Sequence, residues 1–113
     1  MPKTMLGFYL QHNGGQPQVI GVHDDRHLFS FNSFHSLEEM KKSLKWFDDE
    51  AVPAGFKGAD LLHFAYDPGS GNYALSLREE DYGKVYFYVL EEKAEVYGQW
   101  PSFEDFLNSF VEA

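Results

Sequence analysis

Seven residues, Lys84 to Leu90, constrain this chain more than any other segment. Val85, Phe87 and Val89 alternate with Tyr86, Tyr88 and Leu90, so a strand built from them turns large apolar surface to both sides. Neither face can be left to water, and such a strand must be central in a sheet covered on both sides. The chain has the material for that cover. Hydrophobic residues make up 43% of its 113 positions, with 11 Phe, 7 Tyr and 2 Trp, so the core is built largely from rings, which bury large areas in specific geometries. A domain of this length removes roughly 60 to 70% of its unfolded surface from water, enough for one core.

The remaining elements fall around that strand. Residues 4 to 12 carry Met5, Leu6, Tyr9 and Leu10 over one or two helical turns and stop at Asn13-Gly14-Gly15, where Asn and Gly supply left-handed backbone. Gln18 to His23 and His27 to Phe31 read as a hairpin turning at Asp24-Asp25. Ser36 with Glu39 has capping-box spacing, and Leu37, Met40, Leu44 and Phe47 follow on one helix face. Pro53, Gly55 and Gly58 mark a loop, after which Leu61 to Tyr66 and Asn72 to Leu77 form a second hairpin. Ser102 caps a closing helix striped with Phe103, Phe106, Leu107, Phe110 and Val111. The order predicts an α+β fold, a mainly antiparallel sheet of about five or six strands packed by helices.

Charge and composition narrow the chemistry. Against 9 Lys plus Arg stand 18 Asp plus Glu, a formal charge of -9, whereas nucleic-acid binders concentrate basic residues. The expected partner is a neutral or basic protein. With no cysteine there is no disulfide, zinc ribbon or thiol nucleophile. No apolar run approaches the ~20 residues of a membrane span, and no secretory leader is visible, so the expected location is cytoplasmic.

No motif points to a catalytic, metal or cofactor site. His23 and His27 are four apart but straddle a turn, and His12, His35 and His63 add no ligand spacing. His63 lies opposite Leu62 and Phe64 and reads as a satisfied, partly buried imidazole. The Asp67 to Asn72 turn resembles a calcium loop, yet a twelve-residue count puts Arg78 where a bidentate Glu is needed. Gly83-Lys84 is followed by Val85 where a P-loop needs Ser or Thr.

Acid runs stand at helix ends and connections, where a solvated surface is the ordinary outcome and a binding surface the alternative. They include Asp24 and Asp25, Asp48, Asp49 and Glu50, Glu79, Glu80 and Asp81, and Glu91 with Glu92. Trp46 falls roughly 140° from the apolar stripe of its helix. It either tucks under the loop around Pro53 and Phe56, the usual fate of a large aromatic, or stands exposed as an interface anchor ringed by acids.

The ordered motifs resemble the SUKH superfamily, which includes the yeast regulator of cell-wall glucan synthesis and many bacterial immunity proteins of polymorphic toxin systems. The matching pieces are Phe8 to Gly15, Phe34 to Met40, Leu62 to Asp67 with Gly69, Gly71 and Asn72, Asp81 to Phe87, and Ser102 to Leu107. Physically these residues are caps, turns and core, so they speak for fold more than for site. The resemblance implies one domain over residues 1–113 that binds protein without catalysis or cofactor, as an immunity protein occluding a toxin such as a basic nuclease. Asp24, Asp25, Trp46, Asp48, Asp49, Glu50, Glu79, Glu80 and Asp81 are the expected partner-binding residues. Competing expectations are a regulatory or scaffolding module with a concavity near the aromatic strands, and a carboxylate enzyme with two converging acids of displaced titration. Family members usually carry a further N-terminal helix. The apolar surface it would cover here is expected to be hidden by another element, a second subunit in a homodimer, or a different chain.

Overall fold

The computed structural model describes residues 2–11, 14–15, 19–24, 27–69, 71–90 and 94–112. In chain order these form α1 (Lys3–Gln11), β1 (Val19–His23), β2 (Leu28–Ser30), β3 (Ser33–Phe34), α2 (Leu37–Trp46), β4 (Leu61–Tyr66), β5 (Gly71–Ser76), β6 (Val85–Leu90), β7 (Ala94–Trp100), α3 (Phe103–Asn108) and β8 (Phe110–Glu112). Short 3-10 turns occupy Asp49–Ala51, Gly58–Asp60 and Glu79–Asp81. The strands make a five-stranded sheet, β3-β4-β5-β6-β7, and a three-stranded sheet, β2-β1-β8, with every pairing antiparallel. The fold is α+β, as the element order predicts, although the first hairpin builds a sheet of its own instead of widening the larger one.

β6 lies between β5 and β7, and its alternation is met on both faces. Val85 and Phe87 enter the larger core with Phe64, Tyr73, Leu75 and Trp100, while Tyr86 and Tyr88 enter a smaller one with Leu61, Ala74 and Val52. The larger core is closed by Met5 and Tyr9 of α1, Phe103 and Phe106 of α3, and Val22 and Phe31 from the region of the small sheet. Its rings form a continuous lattice, with centroid separations of 4.5 Å for Tyr73 and Phe87, 5.1 Å for Trp100 and Phe106, and 5.2 Å for Phe64 and Phe106. The polar handles of these rings all end on backbone carbonyls: Tyr9 donates to His35 at 2.8 Å, Tyr73 to Ser30 at 2.5 Å and Trp100 Nε1 to His23 at 2.9 Å. The sheets meet closely at Gly98, where an added Cβ would lie 2.6 Å from the Phe29 ring.

α2 takes the place of a strand along most of the β4 edge. β3 pairs only with Ala65 and Tyr66, which leaves the earlier part of β4 without a strand neighbour on that side. Side chains and loops satisfy its backbone there: the Ser43 hydroxyl accepts from His63 N at 3.3 Å, and His35 N donates to the Phe64 carbonyl at 2.7 Å. The capping box holds the start of α2, with Glu39 N donating to Ser36 Oγ at 3.2 Å and Ser36 N to Glu39 Oε1 at 2.9 Å. At the earlier helix end, Gly14 and Gly15 adopt φ of 92° and 103°, the left-handed geometry expected there, and Gly15 bridges to Phe34. His12 and Asn13 lie outside the described residues.

Two expectations are corrected and one open alternative is decided. The chain does not close on a helix: α3 stops at Asn108, and Phe110 to Glu112 turn into β8, which pairs with β1. Phe110 keeps its place among the rings, 5.3 Å from Phe31, so the stripe is real but only its first half is helical. Phe47 leaves the Leu37, Met40 and Leu44 face because α2 ends at Trp46 and Phe47 is extended, with φ -87° and ψ 118°. Its ring crosses to the smaller core. Finally, Trp46 is not tucked under the following loop; it is 67% exposed, and Phe56 packs instead against Tyr86 and beneath the Arg78 guanidinium.

Candidate functional site

A β-bulge creates a half-open concavity lined by polar and aromatic side chains. In β4, His63 faces Ala74 while Ala65 faces Tyr73, so Phe64 is an extra residue and the alternation slips by one. His63 and Tyr66, three apart, therefore share the face of Asn72, Ala74, Tyr86 and Tyr88. α2 overhangs this face with Glu39, Ser43 and Trp46, at i, i+4 and i+7, followed by Phe47. Together with His35 these side chains line a half-open cavity of about 380 Å³.

Its walls are rings in contact. Phe47 stacks on His63 at 3.7 Å and 8°, and Tyr66 lies 4.9 Å from His35. His63 is 1% exposed, its Nε2 is 2.6 Å from the Tyr88 hydroxyl, and its Nδ1 is closed off from solvent. The imidazole is thus fully buried, not partly buried as its position in the strand suggests. Burial first, then the neighbouring His35, pushes its pKa down to about 3, with the Leu61 backbone opposing, so the ring is neutral at neutral pH. Glu39 is held below its usual range chiefly by the Ser36 backbone N–H, and its Oε2 lies 3.7 Å from His35 Nδ1.

The acidic residues divide among several places. Asp48, Asp49 and Glu50 border a shallow depression that shares Phe47 with the cavity. Asp49 Oδ1 also accepts from Gly58 N at 2.8 Å, fastening two 3-10 turns. Glu79 and Glu80 border a second depression with Lys57, Asp60 and Arg78. Asp81, beside them in sequence, is turned inward: Ser76 and Tyr86 donate hydroxyl hydrogen bonds to it, both at 2.5 Å, and Arg78 Nη2 lies 2.5 Å away. Those bonds, Arg78 foremost, drive its pKa far below the carboxylate range. Asp24 sits in a third depression with His23 and Asp105, and its carboxylate accepts from His27 N at 2.8 Å. Asp25, Glu91 and Glu92 lie outside the described residues.

Among the described residues two carboxylates, Glu39 and Asp81, have clearly displaced titration, and both are lowered. A general acid needs the reverse. Among the described residues no three His, Asp or Glu side chains gather as metal ligands would. Asp67 shapes its turn by accepting from Gly69 N and Gly71 N at 2.9 and 2.8 Å. No helix among the described residues is long and apolar enough to cross a membrane.

The model of the SMI1 / KNR4 family (SUKH-1) matches residues 1–109. The chain belongs to this family. No curated protein and no solved structure matches it. The motifs that carry the SMI1/KNR4 resemblance occupy the scaffold: Ser36 and Glu39 cap α2, Ser102 caps α3 by accepting from Asp105 N at 3.1 Å, and Gly83, with φ 89°, turns the chain into β6. The cavity combines such scaffold positions with residues outside the motifs. Reading the sequence for sites finds Trp46 and misses His35, Glu39, Ser43, Tyr66 and Asn72. The available signal was the Glu39, Ser43 and Trp46 spacing, a second stripe on a helix whose first stripe already explains its burial.

Proposed function

We propose that this SMI1/KNR4 family member is a non-catalytic protein-binding module acting in the cytoplasm as an immunity protein, one domain over residues 1–113. Its partner is a toxin with a basic surface, of the kind a nuclease uses to hold phosphates. The observation that carries this reading is Trp46, a large exposed ring lining the cavity, with Asp48, Asp49 and Glu50 following in sequence and bordering a depression that shares Phe47 with it. Aromatic anchors set the lifetime of a complex, while complementary charge, here -9 overall, speeds encounter and selects partners. Trp46, Asp48, Asp49, Glu50, Glu79 and Glu80 are the contact residues, with Asp24, and with Asp25 on the sequence pattern alone. Asp81 supports them from inside through Arg78.

The test is to sequence the genes beside its own and co-express the chain with any toxin encoded there, which restores growth if the reading holds; no toxin gene nearby, or toxicity undiminished by the chain, would sink it. Association should also weaken as salt rises from about 0.05 to 0.5 M. Leu6 and Leu10 stand 45% and 77% exposed along α1, the surface a second copy would cover in a homodimer.

The second reading, a regulatory or scaffolding module that takes a ligand in a concavity, is favoured by the cavity itself. It is kept apart from the first by what the cavity binds.

A further inference from the structure

In the cavity that Trp46 lines, a charged carboxylate stands among aromatic rings, and that pairing decides what kind of group can fill it. Glu39 Oε1 accepts from Ser36 N at 2.9 Å, whereas its Oε2 is 3.7 Å from His35 Nδ1, beyond hydrogen-bond length. A carboxylate has about four lone-pair sites, so Glu39 keeps acceptor capacity, and its side chain is 57% exposed to whatever enters. The Ser36 backbone N–H foremost holds its pKa below the usual range, so it is ionised at neutral pH. Lys42, the nearest following cation on α2, pairs with Glu38 at 3.7 Å instead, and no lysine or arginine among the described residues lines the cavity. On the Glu39 face of α2 Trp46 holds most of its ring in water, and Tyr66 lines the cavity from β4.

These walls set conditions on an occupant. Carboxylates and phosphates are repelled by Glu39 and by the charge of -9. An aliphatic or phenyl side chain would pack on the rings but strip water from the carboxylate without replacing its hydrogen bonds. A neutral hydroxyl or amide can donate to Glu39, yet it brings no charge to meet that of the carboxylate or the negative faces of the rings. A cation answers both. Of the two basic side chains, lysine ends in a compact, strongly hydrated ammonium that loses more on leaving water. The guanidinium of arginine is weakly hydrated and planar, so it can lie on a ring while its N–H fork donates to a carboxylate. The volume of about 380 Å³ lies near the small end of the range for ligand pockets and suits one such side chain.

We infer that the cavity between α2 and the sheet is a socket for one arginine side chain of the bound protein, its guanidinium lying on the Trp46 ring and donating to Glu39. This deepens the reading of a basic partner given above and rests on it for the source of the arginine.

The experiment is an NMR titration of the folded chain with N-acetyl-argininamide, N-acetyl-lysinamide and N-acetyl-citrullinamide, following the Trp46 indole N–H and the Glu39 side-chain carboxyl carbon. Citrulline keeps the planar shape of arginine and lacks its charge. Argininamide should shift both signals saturably, lysinamide should bind about threefold more weakly, and citrullinamide at least about tenfold more weakly. Glu39→Gln removes the charge but keeps a residue that can close the capping box of α2, and Trp46→Ala changes an exposed position. Each should weaken argininamide about fivefold without unfolding the chain.

Equal binding of the arginine and citrulline amides, no saturable shift of the two signals, or argininamide binding unchanged in either variant would overturn the socket. Lysinamide binding as tightly as argininamide would overturn the arginine in favour of any cation. Growth rescue from a neighbouring toxin without argininamide binding would remove the socket and leave the immunity role, whereas argininamide binding without rescue would do the opposite.

Discussion

On one face of the five-stranded sheet, Phe64, Tyr73, Phe87 and Trp100 meet rings from α1, α3 and the small sheet. On the other, His63, Tyr86 and Tyr88 meet the end of α2 and the loop through Val52 and Phe56. The first face is apolar except for phenol and indole handles that end on carbonyls. The second buries a neutral imidazole against a tyrosine hydroxyl and gathers Asp81, Arg78, Ser76 and Tyr86 into one network. Hydrophobic burial stabilises the first face without directional demands, whereas the second depends on geometry and protonation. The concavity and the exposed Trp46 belong to the second face, which is where a site can be built without opening the main core.

The comparison is most easily broken by truncating one ring from each side. Phe106→Ala, removing a fully buried ring from the lattice, should cost about 3–5 kcal/mol in denaturant unfolding. Phe56→Ala, half-buried on the second face, should cost about 1–2 kcal/mol. Equal losses would mean that the second core bears as much of the stability as the first.

Asp81→Asn tests the polar network. It keeps the shape but removes the charge that Arg78 and Tyr86 hydrogen-bond to, and should cost about 2 kcal/mol. Tyr86, whose phenol burial and Asp81 together push up to about 12, should then titrate nearer its ordinary value. An Asp81→Asn protein as stable as the parent would make the network ornamental.

Acid should separate the two kinds of polar group. His63 has a folded pKa of about 3, below the ~6.5 of an unfolded histidine, so between these values the unfolded chain takes up a proton that the folded one refuses. Stability therefore falls as pH drops below about 6.5, by at most about 1.4 kcal/mol per unit from this group. Asp81, also lowered, adds a second loss below about pH 4. Unfolding curves recorded across this range check the order, and the pair His63→Leu with Tyr88→Phe should abolish the upper window alone.

The smallest effect is expected at Trp46. Trp46→Ala should change stability by less than about 0.5 kcal/mol, measured by the same unfolding curves, because most of the ring is already in water. A larger loss would place Trp46 in the second core instead of at its rim.

Much of the scaffold is legible along the chain. Ser36 and Glu39 announce α2 because a capping box acts over three residues, and the doubly apolar β6 requires cover on both sides wherever it lies. Phe110 shows the limit of such reading: its spacing continues the α3 stripe, yet pairing with β1 draws it into a strand. The candidate site was less legible for the same reason. A single bulge at Phe64 decides that His63 and Tyr66 face one cavity, and period-two counting cannot see it.

By itself the sequence determined the fold class, the caps, the ring-rich core, the acidity of the surface and the family pattern, since these depend on composition and on neighbours a few residues apart. Only the tertiary structure decided which of the described acids remain outside, that Asp81 is taken inward by Arg78 and Tyr86, and that His63 is buried against a tyrosine 25 positions away. Hydrogen-bond satisfaction and desolvation are properties of what packs around a group, and for these residues the groups that matter arrive from distant strands.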